Sequence, residues 1–182
     1  MANALELFFD PETESAVRAI WANLEARGLR SPARSRHGRH RPHVTLAVAE
    51  RMTRVQAEVA TVPLRDANDL TLQLGSVAVF PGRVGVLYLA VVPTLRLLGL
   101  HREIHARLIG AGVEADRHYL PDAWVPHCTL AEGLMPEQVT TAVGAVKRLR
   151  PIPGEASSVG LVDTDTGVAT PLADLPHSVG TD

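Results

Sequence analysis

Apolar and polar positions along the chain alternate in several short stretches and recur at helical spacing between them. Residues 4–9, Ala-Leu-Glu-Leu-Phe-Phe, predict a first strand. Asp10-Pro11 reads as a helix cap with proline at the first helical position. Val17, Ile20, Trp21 and Leu24 then recur on one helical face until Gly28 ends the pattern, so Trp21 is read as core. Residues 42–47 form a run of strand formers. Thr53-x-x-Gln56 has the form of a capping box, and Val55, Val59 and Val62 follow at helical spacing up to Pro63. Residues 70–80 predict a strand, Pro81-Gly82 a turn, and Val84 to Val92 a second strand. Pro93 to Ala111 is the clearest helix, with a predicted buried stripe of Leu97, Leu100, Ile104 and Leu108. A further strand covers 126–131, and Pro136 opens a helix with Val139, Val143 and Val146 inside. Residues 158–163 and 167–175 predict a closing hairpin, and 176–182 a frayed tail. The order β-α-β-α-β-β-α-β-α-β-β predicts an α+β fold, with two antiparallel sheets side by side and helices outside.

Composition narrows this picture. With 182 residues, 46% of them hydrophobic, the chain can bury a core as one domain, 1–182, of two lobes. A net charge of −2 gives no support for general nucleic-acid binding. The single cysteine, Cys128, excludes an internal disulfide and a cysteine-based zinc cage, and its place in a strand suits core packing. Met1 to Phe9 is too short and too acidic for a signal peptide, and no apolar run reaches membrane-span length. The expectation is a soluble, cytoplasmic monomer.

The chemistry is concentrated in a hexapeptide written twice. Residues 42–47 read Pro-His-Val-Thr-Leu-Ala and residues 126–131 read Pro-His-Cys-Thr-Leu-Ala, with the histidines 84 residues apart. Strand alternation places His43 and Thr45 on one face and Val44 and Leu46 on the other. The second copy pairs His127 with Thr129 and Cys128 with Leu130. Continued alternation puts Ala47 and Ala131 on the His/Thr face, which leaves room for a ligand.

Paired His-x-Thr motifs on strands at about this separation resemble the 2H phosphoesterase superfamily. Its members include the bacterial RNA 2′,3′-cyclic phosphodiesterases, also called 2′-5′ RNA ligases. The Phe80-Pro81 turn and the apolar strand after it are similar to the middle of that family. The resemblance spans residues 4–175 and implies two pseudo-symmetric lobes flanking a central cleft. It also implies that His43, Thr45, His127 and Thr129 are catalytic, with reversible 2′-5′ RNA ligase activity beside hydrolysis. One neutral imidazole would take a proton from water, while the other, protonated, gives one to the departing ribose oxygen. The threonine hydroxyls would hold the non-bridging oxygens as charge builds. Nothing in the sequence says which histidine is the base. No cofactor and no metal are expected.

The loop before the first motif is basic. Arg27, Arg30, Arg34, Arg36, Arg39 and Arg41 are six of the 18 basic residues, with no acid among them. They suit an anion-attracting rim, and Arg34, Arg36, Arg39 and Arg41 are candidate phosphate contacts. Tyr119 and Trp124, before the second motif, either line a nucleobase pocket or anchor a loop. His37 and His40 lack an acidic partner for a metal. His101 and His105 lie four apart, but His-Arg-Glu-Ile-His is not the zincin pattern. On a helical wheel His101 sits at the edge of the apolar stripe and His105 further out, a structural or solvent-exposed reading. The expected substrate is RNA with a 2′,3′-cyclic phosphate end or a cyclic nucleotide. The alternatives are a small cyclic phosphate such as ADP-ribose 1″,2″-cyclic phosphate, or a binding module that only holds a nucleotide in the same cleft.

Overall fold

The computed structural model describes residues 2–175; the expected frayed tail, 176–182, lies outside them. The elements follow the expected order: β1 (Asn3–Phe9), α1 (Pro11–Glu25), β2 (His43–Ala49), α2 (Arg54–Ala60), β3 (Leu74–Phe80), β4 (Gly85–Val91), α3 (Leu95–Gly110), β5 (His127–Leu134), α4 (Pro136–Val146), β6 (Ala156–Asp163) and β7 (Ala169–Asp174). They build two antiparallel sheets, ordered β2-β1-β6-β7 and β3-β4-β5. Leu5, Leu7 and Phe9 of β1 share a core with Val17, Trp21 and Leu24 of α1. The Asp10 carboxylate caps α1 by accepting from the Thr13 amide at 2.8 Å, and it also accepts from the Glu155 amide at 3.0 Å. That second bond ties the helix start to the approach of β6. Residues 70–73 do not extend β3 as expected. They run beside 152–156 instead, with the Leu72 amide donating to the Gly154 carbonyl at 2.6 Å.

Each motif strand is the edge of its sheet, and the two edges, β2 and β5, face each other. An edge strand exposes carbonyls that need donors from elsewhere. Each tryptophan supplies one across the molecule. The Trp124 indole donates to the Thr45 carbonyl at 2.9 Å, and the Trp21 indole donates to the Thr129 carbonyl at 3.0 Å. Both strands also bulge at the same position of the repeat. Thr45 pairs with Glu6 but Ala47 with Leu5, and Thr129 pairs with Tyr88 but Ala131 with Leu87. The extra residues are Leu46 and Leu130. A bulge reverses the alternation beyond it, so Ala47 and Ala131 turn into the core and are fully buried. They do not line the His/Thr face, contrary to the expectation from simple alternation.

The bulge accounts for a second departure. His101 and His105 are buried, at 1% and 2% exposure, rather than at the rim of α3. Both point Nε2 at the Leu46 carbonyl, each at 3.0 Å. Two donors on one oxygen require both rings to be protonated on Nε2, which leaves the buried His105 Nδ1 without a partner. The helical wheel failed because a polar group outside the helix determines where these rings go. In α2 the packed residues are Ala57 and Ala60, while Val55 and Val59 are exposed. Thr53 and Gln56 do form the capping box, but small side chains are what let so short a helix approach α3. Leu100 of the α3 stripe is only half-buried.

Burial, and then the charge of His105, hold His101 at a pKa of about 4; burial lowers His105 too. The unfolded chain takes up these protons near the ordinary value of 6.5. Unfolding therefore binds protons between the two values, and stability falls as pH drops through that window. We expect Tm to decrease from pH 7 to pH 4.5, reflecting a loss of up to about 3 kcal/mol from His101. His101→Gln still offers Leu46 an N–H but cannot charge, so its Tm should depend less on pH. Equal slopes for both proteins would refute the assignment.

Candidate active site

The two motif histidines are held by the same local device. Nδ1 of His43 donates to the Arg41 carbonyl at 2.6 Å, and Nδ1 of His127 donates to the Val125 carbonyl at 2.7 Å. Each ring is thus clamped by the backbone two residues upstream, which leaves Nε2 outside the clamp. The strand register puts Thr45 beside His43 and Thr129 beside His127, all four half-buried. Among the described residues neither threonine hydroxyl has a protein hydrogen-bond partner.

The facing of β2 and β5 brings the two histidines together. The Cys128 thiol lies against the backbone amide of His43, and burial pushes that thiol up to about 12, which makes it an inert packing group. Burial lowers the pKa of His127, and the charge of His43 lowers it further. The two imidazoles therefore lie within electrostatic reach of each other. This clustering of clamped, coupled histidines with two free hydroxyls can perform paired proton transfer around an anion.

Their surroundings differ, and here the structure adds residues that the motif search did not single out. The cross-strand neighbour of Thr45 is Glu6, whereas that of Thr129 is Tyr88. Glu6 Oε1 stands 3.5 Å from His43 Nε2. Around His127 the ring of Phe80 packs edge-on at 4.8 Å and that of Tyr88 at 5.2 Å, the two aromatics stacking on each other at 4.1 Å. Glu6 did carry a sequence signal: it is the one charged residue in an otherwise apolar strand, 4–9.

The remaining candidates divide. Tyr119 is half-buried at the site. Burial, then the negative charges of Asp116 and Glu6, raise its hydroxyl pKa, so it stands near Glu6. Trp124 is no exposed platform: its ring is buried and stacked on His101 at 3.8 Å with an interplanar angle of 4°. The arginine rim is partly neutralised by acids distant in sequence. Arg30 pairs with Glu132, Arg34 with Glu25 and Arg41 with Glu14. Arg41 also covers Phe8 at 4.5 Å. Among the described residues Arg36 and Arg39 form no ion pair, and Arg39 donates to the Thr166 carbonyl at 3.3 Å. His37, His40 and His43 stand in file, with ring centroids 4.6 and 5.9 Å apart. Burial, then the charges of His43 and His37, hold His40 at about 4. A cavity of 820 Å³ lies apart from the motifs, between the start of α1 and the β6–β7 end. Arg41 links it to His43.

The 2′-5′ RNA ligase superfamily profile matches residues 9–168, which includes both motifs. The chain belongs to the 2′-5′ RNA ligase superfamily. No curated protein sequence matches it significantly. Among solved structures it is similar to Escherichia coli LigT in apo form, with TM-score 0.59 and 15% identity over 97% of this chain and 96% of that one. It is also similar to TT0787 of Thermus thermophilus, with TM-score 0.57 and 17% identity over 96% and 97%. Kluyveromyces marxianus Usb1 with uridine monophosphate gives TM-score 0.51 and 10% identity over 94% and 97%. These likenesses establish a shared fold. Among the described residues no group of three or more His, Cys, Asp or Glu is placed to hold a metal ion, and no helix is long and apolar enough to cross a membrane.

Proposed function

We propose that this superfamily member is a metal-independent cyclic phosphodiesterase that opens the 2′,3′-cyclic phosphate of RNA ends or nucleotides, acting as a cytoplasmic monomer. The observation that supports it best is the pair of clamped histidines, coupled across the β2–β5 junction, each beside a free threonine hydroxyl. His127, half-buried among aromatic rings and lowered in pKa, is the base that takes a proton from water. The water oxygen attacks phosphorus, one ribose–oxygen bond to phosphorus breaks, and Nε2 of His43 protonates the departing oxygen. Thr45 and Thr129 steady the non-bridging oxygens. The products are a phosphomonoester and a free ribose hydroxyl. Nucleotide complexes of relatives, LigT with 3′-AMP and Usb1 with uridine monophosphate, support a nucleotide-sized site. The test is turnover of 2′,3′-cyclic AMP in excess EDTA. Hydrolysis is expected. Tight binding without turnover of this or any cyclic-phosphate oligonucleotide would leave only the binding-module reading.

The substrate extends beyond one nucleotide in this reading, because among the described residues Arg36 and Arg39 form no ion pair and lie on the loop that delivers His43. A cyclic-phosphate-terminated oligonucleotide should show a higher kcat/KM than the mononucleotide, with an advantage that shrinks as salt rises. Arg36→Ala with Arg39→Ala should remove most of it, whereas Arg34→Ala, already paired to Glu25, should remove less. Equal kcat/KM for both substrates at low salt would refute the RNA version.

A further inference from the structure

The two halves of the site are built from the same repeat, yet they differ at one corresponding position. Directly across from the motif threonine stands a carboxylic acid in the first half, Glu6, and a phenol in the second, Tyr88. Glu6 is 5% exposed, and its Oε1 lies 3.5 Å from His43 Nε2, the nitrogen left free by the clamp on Nδ1. We propose that Glu6 is a positioning residue that keeps a proton on His43 Nε2, and so makes the first histidine of the repeat the proton donor.

The groups facing Glu6 are few. His43 presents from β2 and His37 from the loop before it, and the negative charge of Glu6 reaches Tyr119. From β6 the neighbour is Gly160, with no side chain. A Cβ there would come within 2.9 Å of the Phe8 ring, so this flank stays closed to polar groups. His40 stacks on His43, and His127 stands across the junction. Among the described residues no arginine forms an ion pair with Glu6. Burial raises Glu6, while the charges of His43 and then His37 oppose that rise. A carboxyl and an imidazole this close titrate as a couple. With one proton on board the couple is either carboxylate and imidazolium or acid and imidazole. An anion at this distance favours the carboxylate–imidazolium form, with the proton on Nε2. Among the described residues His127 has no carboxylate partner, and burial, then the charge of His43, lowers its pKa. In the reaction the proton on His43 leaves Nε2 for the departing ribose oxygen, and solvent restores it after product release.

The inference rests on the phosphodiesterase reading for its catalytic half, so two readouts are needed. Glu6→Gln keeps the shape and removes the anion; Glu6→Asp keeps the anion on a shorter arm. In the full chain without substrate, NMR titration of the His43 ring should move to lower pH in Glu6→Gln by about 1 unit or more, and should return toward the wild type in Glu6→Asp. The alkaline limb of kcat/KM against pH should move in parallel, with activity of Glu6→Gln recovering as pH is lowered. Superimposable His43 titrations in wild type and Glu6→Gln would overturn the proposal even if the enzyme turned over cyclic phosphates. A moved titration with an unmoved rate profile would overturn its catalytic half. If the wild type hydrolyses no cyclic phosphate, the functional reading fails, and the NMR titration still decides the Glu6–His43 coupling.

Discussion

His127→Ala is expected to lower kcat/KM for 2′,3′-cyclic AMP by about 10³-fold or more, and His43→Ala by a similar amount. The double variant should be little slower than either single one, because two groups acting in one proton-transfer step do not contribute additively. Both rings are half-buried at the surface of the site, and each makes one backbone hydrogen bond to its own loop. Thermal stability should therefore change little, which separates loss of chemistry from loss of fold. The wild-type pH profile of kcat/KM should be a bell, since one histidine works neutral and the other charged. Near-normal turnover by either single variant would end the acid–base pairing.

Trp124→Ala should act on stability instead, at a cost of about 3–5 kcal/mol. The indole fills a buried site, stacks on His101 and satisfies the Thr45 carbonyl. Truncation leaves a cavity and an edge-strand carbonyl without its donor, next to a motif residue. For a chain of this length the cost corresponds to a Tm lowered by roughly 10 °C. Trp124→Phe keeps the ring and loses the N–H, so it should cost only about 1 kcal/mol while still slowing turnover through a looser Thr45. A nucleobase platform would behave the opposite way, with unchanged Tm and raised KM. That result would restore Trp124 to the substrate side.

The sequence by itself carried the order of elements, the α+β class and the four motif residues. Local chemistry explains why. Caps such as Asp10 and Thr53, breakers such as Pro63 and Pro81-Gly82, and runs of period two or 3.6 act within a few residues. A repeated hexapeptide is visible without any knowledge of what it faces. Trp21 was legible as core because its neighbours on the helix are apolar. Trp124, His101 and His105 were not legible, since what buries them is a pair of carbonyls on β2 more than 50 residues away.

The same limit governed the charges. The run 27–41 looked uniformly cationic, but folding brings Glu14, Glu25 and Glu132 to three of its six arginines. Of the four candidate phosphate contacts, Arg36 and Arg39 are the two that have no acid partner among the described residues. The repeat also made the two histidines look equivalent. Their difference lies in strand pairing: β1 places Glu6 beside Thr45, and β4 places Tyr88 beside Thr129. Cross-strand register and the bulges at Leu46 and Leu130 are properties of pairs of strands. They depend on which segments meet, and a single strand's alternation contains no record of that. Sequence spacing thus specified which groups are the candidates for the chemistry. Tertiary pairing decided what surrounds each of them: a carboxylate beside His43 and aromatic rings beside His127.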